Sequence, residues 1–153
     1  MLILILGLLV FLLDRWSKIL VVRNLAPGES IPLWPGLFHL TYVRNTGAAF
    51  SLLANQRGVL LFTSLVVIVI ILFFLRSLDR LGWLHRLSFG LILGGAAGNL
   101  YDRLLSGEVV DFLDFRVWPV FNLADAAIVV GVLLLAYLYT FGDEKKKGEK
   151  GLF

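Results

Sequence analysis

Four long apolar runs, at residues 2–22, 58–75, 87–105 and 122–141, divide the chain. A helix that crosses a bilayer needs about 20 mainly apolar residues. The pattern therefore predicts an all-α membrane protein with four transmembrane helices, built as one integral membrane domain over residues 1–153. The first run lacks the basic start and small-residue cleavage site of a signal peptide, and Asp14-Arg15-Trp16-Ser17-Lys18 continues its helical pattern. It is expected to be a retained span.

Between the first and second runs the pattern changes character. The segment from Asn24 to Arg57 holds Pro27, Pro32, Pro35, Gly28 and Gly36, followed by Phe38-His39-Leu40-Thr41-Tyr42-Val43. Alternation of Phe38, Leu40 and Tyr42 with His39 and Thr41 predicts a short strand. A small extracytoplasmic β-rich platform between helices 1 and 2 is expected, because a connection of this length is seldom only a connection. Residues 106–121 are read as a further connection. Trp34, Tyr42 and Trp118 are expected at the outer membrane interface and Trp83 at the inner one, where aromatic side chains concentrate.

Charge sets the orientation. Arg76, Arg80 and Arg86 crowd one short connection, and Lys145, Lys146, Lys147 and Lys150 lie in a basic tail over 142–153. Cytoplasmic flanks collect Lys and Arg, so both termini and the Arg76–Arg86 loop are expected in the cytoplasm. Composition agrees with a membrane protein: 59% of residues are hydrophobic and 16% charged, against about a quarter charged in soluble domains. Cysteine is absent, which removes disulfides and thiolate metal sites.

With that orientation, polar groups from several elements gather at the outer leaflet. Asp14 and Lys18 stand at i and i+4 on one helical face. Asn99, Asp102 and Arg103 stand at i, i+3 and i+4 near the outer end of the third span, and Asn122 and Asp125 open the fourth. Gly90, Gly94 and Gly98 recur at four-residue spacing, which lets helix backbones approach closely and seats the polar group against a neighbour. Ionisable groups at a membrane edge mark an ion path, a structural polar cluster or a catalytic site.

Several chemistries are disfavoured. His39 and His85 fall on opposite sides of the membrane and no His-Glu-x-x-His motif occurs, so no metal is expected. No basic stripe suits nucleic acid. Ser17 and Lys18 are adjacent and point apart on a helix, so a Ser–Lys hydrolase is disfavoured. Paired aspartates fit better. Two carboxyls in one site retain a proton between them, and they supply a general base and a general acid together.

Five ordered segments resemble the lipoprotein signal peptidases, the type II signal peptidases of bacteria. They are Asp14-Arg15-Trp16-Ser17-Lys18, Asn45-Thr46-Gly47-Ala48-Ala49-Phe50, Gly94 through Arg103, Val109-Val110-Asp111-Phe112, and Phe121-Asn122-Leu123-Ala124-Asp125. The resemblance implies an aspartyl endopeptidase with Asp111 and Asp125 as its dyad. It implies Asn45, Asn99, Arg103 and Asn122 as pocket or dyad-supporting residues, and Asp14, Lys18 and Asp102 as structural polar residues. Arg103 is further expected to hold charge developing on the scissile carbonyl, with Asp102 or Asp14 as its partner. The implied substrates are prolipoproteins bearing a diacylglyceryl-cysteine, cut just before that cysteine. An enzyme of the bacterial cytoplasmic (inner) membrane is implied, working as a monomer among membrane lipid, without cofactor or metal. Asp114–Val120 is short for a loop that varies in length in this family and gates the site.

Overall fold

The structure is a computed structural model that describes residues 1–47 and 56–150, with side chains as far as Phe141. The chain runs α1 (Leu2–Asn24), β1 (Ser30–Trp34), β2 (Phe38–Asn45), α2 (Arg57–Phe73), α3 (Leu75–Leu78), α4 (Trp83–Leu105), β3 (Val109–Asp114) and α5 (Leu123–Lys150). Ala48, Ala49 and Phe50 of the second motif, the side chains of the tail lysines, and residues 151–153 lie outside the described residues.

Helix α4 is the centre of the bundle, with α1 and α5 packed closely along it and α2 beside them. Small residues on α4 make this possible. A Cβ on Gly98 would lie 2.5 Å from Asp14 Oδ2, and one on Gly95 would lie 2.8 Å from Ile128 Cγ1. The glycine stripe thus serves two neighbours at once, with α5 against Gly95 and α1 against Gly90, Gly94 and Gly98. One apolar cluster (Ile3, Ile71, Ile92, Leu93) holds the bundle together away from the sheet.

A second cluster of Val21, Leu25, Tyr42 and Phe112 joins the end of α1 to the sheet. Tyr42 is only 2% exposed. The expectation of an interfacial Tyr42 is therefore corrected: its ring is core and its hydroxyl accepts a hydrogen bond from Arg44 Nε at 3.1 Å. Trp34, Trp118 and Trp83 are exposed.

The chain is mostly helical, and a small β-rich unit stands between α1 and α2 as expected; the reading of residues 106–121 as only a connection is corrected. Three antiparallel strands form one sheet in the order β1-β2-β3, and the third strand comes from the stretch read as a connection. Val43 stands opposite Asp111 and Asn45 opposite Val109. After β3 the chain turns back on itself. Phe112 and Leu113 N–H both donate to the Phe121 carbonyl, and Phe121 N–H donates to Leu113. That closure returns Asn122 to the side of β3 and launches α5.

Outward faces of the bundle are apolar, with Leu8, Phe62 and Leu133 each more than half exposed. Among the described residues, Leu123–Phe141 is the one helix that is long and apolar enough to cross a membrane by length and composition alone, and Arg57–Phe73 is a shorter apolar helix. Asp14, Arg15 and Lys18 interrupt the apolar character of α1, and glycines with Asn99, Asp102 and Arg103 interrupt that of α4.

Candidate active site

Asp111 and Asp125 reach one site from different kinds of element. Asp111 sits in the middle of β3 and is 1% exposed. Asp125 lies in the first turn of α5. The N-terminus of α5 is closed by a reciprocal cap, in which Asp125 N–H donates to Asn122 Oδ1 at 2.9 Å and Asn122 N–H to Asp125 Oδ2 at 3.3 Å. Next to it, Ala124 N–H donates to Asp14 Oδ1 at 3.1 Å. Helix termini leave backbone N–H groups without intrahelical partners, and these contacts satisfy them here.

Three asparagines supply amide donors to the two carboxylates. Asn122 Nδ2 donates to Asp111 Oδ1 at 2.6 Å, and Asn45 Nδ2 to Asp111 Oδ2 at 2.8 Å. Asn99 Nδ2 donates to Asp125 Oδ1 at 2.7 Å. Each amide is oriented by a donor at its oxygen. Gly47 N–H holds Asn45 Oδ1, and Asp125 N–H holds Asn122 Oδ1. Lys18 Nζ donates to Asn99 Oδ1 at 3.2 Å, and that oxygen also accepts from Asn122 Nδ2 at 3.2 Å. Asn45 reaches Asp111 because side chains two positions apart on a strand share a face: Val43 is the cross-strand partner of Asp111.

Burial pushes the Asp111 carboxyl up to about 7, and the charge of Asp125 adds to the effect. Hydrogen bonds from Asn45 and Asn122, and the Lys18 charge, oppose the rise without cancelling it. Asp114 behaves oppositely. Burial raises it, but hydrogen bonds from Thr41 and Arg116 outweigh that and leave it below the usual carboxylate range. Asp114 caps the turn that follows β3, accepting from Arg116 N–H at 2.8 Å, and Arg116 takes a positive φ of 65° there.

Behind the dyad lies a nearly dry charge cluster. Lys18 Nζ is 2.8 Å from both Asp14 Oδ2 and Asp102 Oδ2, and Asp102 is also paired with Arg15. The Arg15 guanidinium stacks over Tyr101, 4.5 Å from the ring centroid. The expected partnership of Arg103 with Asp102 or Asp14 is thereby corrected, because Lys18 and Arg15 already occupy those carboxylates. Arg103 Nη2 instead donates to the Gly47 carbonyl at 3.1 Å. Arg15 was not singled out from the sequence, although an arginine inside an apolar run is itself a signal that a buried carboxylate must be near. Ser17 donates to the Asp14 carbonyl and takes no part in the cluster.

A cavity of about 720 Å³ opens over the dyad, with Asp111, Asp125, Asn45, Arg103 and Trp118 among the residues around it. Apart from these polar groups its walls are apolar, including Phe115 and Val117 from the turn and Ile128 and Val129 from α5. Among the described residues no three His, Asp or Glu side chains gather as metal ligands. His39 contacts Ser30 in the sheet, while His85 lies at the start of α4 against Tyr139.

A family model described as "Signal peptidase (SPase) II" matches residues 6–141. The chain belongs to the signal peptidase II family. Among curated relatives, the lipoprotein signal peptidase of Desulfitobacterium hafniense is 49% identical over 140 residues, covering 91% of this chain and 93% of that protein. The corresponding protein of Moorella thermoacetica is 54% identical over 134 residues, covering 88% and 89%. A solved structure titled as a bacterial membrane enzyme at 2.3 Å superposes with a TM-score of 0.86 at 26% identity, covering 95% of this chain and 90% of that one. All the dyad and asparagine residues described above fall inside the matched family region.

Proposed function

We propose that Asp111 and Asp125 form the aspartyl dyad with which this family member cleaves its substrates. The chain is a protease of the bacterial membrane that removes signal peptides from prolipoproteins, as near-full-length relatives named lipoprotein signal peptidase support. The observation that carries the dyad is the set of asparagine amides aimed at both carboxylates inside one cavity.

The chemistry follows from the unequal surroundings of the two groups. Asp111 keeps a proton up to about pH 7 because burial and its neighbour disfavour its charge. Asp125 takes a proton from a water molecule as that water attacks the scissile carbonyl. Asp111 gives its proton to the carbonyl oxygen, so a neutral tetrahedral intermediate forms. Collapse then transfers a proton from the intermediate's hydroxyl to Asp111, while Asp125 returns its proton to the departing amine. Both carboxyls end as they began. Arg103, beside both carboxylates, steadies negative charge developing on the carbonyl oxygen.

The finer reading places α1, α2, α4 and α5 across the bilayer, with both termini cytoplasmic and the sheet lying on the outer leaflet. The basic Arg76–Arg86 connection and tail support this orientation, and polar helix ends let water reach the dyad where the bilayer core would not. A diacylglyceryl-modified cysteine next to the scissile bond suits the apolar cavity walls. The protein acts as a monomer, one domain carrying the whole site.

Incubating purified protein with a diacylglyceryl-modified prolipoprotein and locating the cut by mass spectrometry tests this reading. Cleavage just before the modified cysteine is expected, and cleavage elsewhere or none contradicts it.

A further inference from the structure

We propose that Lys18 is a positioning residue of the dyad, one that fixes the Asn99 amide so that its NH2 group faces Asp125. This goes beyond a structural polar role and rests on the dyad reading above.

The ammonium is 1% exposed and meets three oxygens: Asp14 Oδ2 and Asp102 Oδ2 at 2.8 Å each, and Asn99 Oδ1 at 3.2 Å. The ammonium pairs with two carboxylates and donates a hydrogen bond to Asn99 Oδ1, and because a lysine has donors and no acceptor, each partner must present oxygen. The consequence for Asn99 is steric and electrostatic at once. A flipped amide would bring its NH2 against the Lys18 ammonium and the Asn122 Nδ2 group, and its oxygen against the Asp125 carboxylate. Neither contact is tolerable in a buried site. Held as it is, Asn99 donates to Asp125 Oδ1 at 2.7 Å and accepts from Asn122, which donates to Asp111 at 2.6 Å. One ammonium therefore orders the amides that reach both carboxyls.

Lys18 differs from the other two anchors. Asn45 and Asn122 are oriented by backbone N–H groups, which cannot be mutated away. Asn99 is oriented by a side chain carried on a different helix 81 residues earlier. Asp14 and Asp102 have two tasks in this arrangement. They neutralise the ammonium, and Asp14 also holds the Ala124 N–H in the first turn of α5.

Charged groups on every packed element bear on the test. Asp14 and Arg15 come from α1, Asp102 and Arg103 from α4, Asp111 from β3 and Asp125 from α5. Arg44 of β2 is turned to Glu108, and Arg57 of α2 to the Leu104 carbonyl. Because the Lys18 cation opposes proton retention at Asp111, its loss moves the alkaline limb of the rate profile upward.

The test compares wild type, Lys18→Met, and the charge-balanced pair Lys18→Met with Asp14→Asn, all with diacylglyceryl-modified prolipoprotein and with Asp111→Asn as the inactive reference. Wild-type cleavage that Asp111→Asn abolishes secures the dyad reading independently. Both Lys18 variants are then expected to lose about 100-fold in kcat with KM within about twofold, and their alkaline limb to move to higher pH. If Lys18→Met alone fails to fold, the charge-balanced pair decides. Wild-type kcat and an unmoved pH profile in that pair overturn the proposal. So does failure of the pair to fold, which assigns Lys18 to packing.

Discussion

Asn122 donates its side-chain NH2 to Asp111 Oδ1 at 2.6 Å while its side-chain Oδ1 accepts from the Asp125 N–H at 2.9 Å. One residue thus ties the strand carboxyl of Asp111 to the first turn of the helix that carries Asp125. Replacing it removes both an N-cap and a carboxylate donor. Asn122→Ala is expected to cost about 1 kcal/mol of stability for the cap and to lower kcat by about two orders of magnitude, since one link holds both carboxyls of the proposed dyad. Thermal unfolding in detergent and steady-state cleavage kinetics check the two effects separately.

Asp111 also makes stability depend on pH. Its proton affinity rises from 3.8 unfolded to about 7 folded. Between those values the folded state binds more protons than the unfolded one, so this group's contribution falls as pH rises from about 4 to about 7 and is level above. Asp111→Asn removes that slope but presents an amide to Asn45 or Asn122, a fixed cost at every pH. Melting temperatures at pH 5 and pH 8 should therefore shift in the variant's favour at the higher pH, relative to wild type. An unchanged difference contradicts a raised Asp111.

Gly98 has no room for a methyl group. A Cβ there meets Asp14 Oδ2 at 2.5 Å and Ala124 Cβ at 3.4 Å. Gly98→Ala is expected to destabilise by about 1–3 kcal/mol and to reduce cleavage, because displacing Asp14 releases the first turn of α5. Gly58→Ala, where nothing lies within 4 Å, serves as the control and should be neutral or slightly stabilising.

Much of the site was legible because helical spacing is local. The Asp14–Lys18 pair follows from i and i+4, and the shared end of α4 from Asn99, Asp102 and Arg103. Strand β3 was not legible, since Val109-Val110-Asp111-Phe112-Leu113-Asp114 has carboxylates on both of its faces. Alternation disappears when Asp111 faces the dyad and Asp114 faces the turn. Tyr42 misled for a related reason: an amphipathic ring suits an interface and a core equally until its hydroxyl partner, here Arg44, is known. The pairing of Arg15 and Lys18 with Asp102 spans more than 80 residues and could be read only from the fold.

The central claim is that Asp111 and Asp125 together cut the substrate. Its most direct test is single-turnover cleavage of diacylglyceryl-modified prolipoprotein by purified Asp111→Asn and Asp125→Asn, each first shown to be folded by its melting transition. Loss of at least about 1,000-fold in rate for each variant is predicted, because neither base nor acid catalysis survives alone in a unit of this kind. Near-wild-type cleavage by either folded variant would contradict the account.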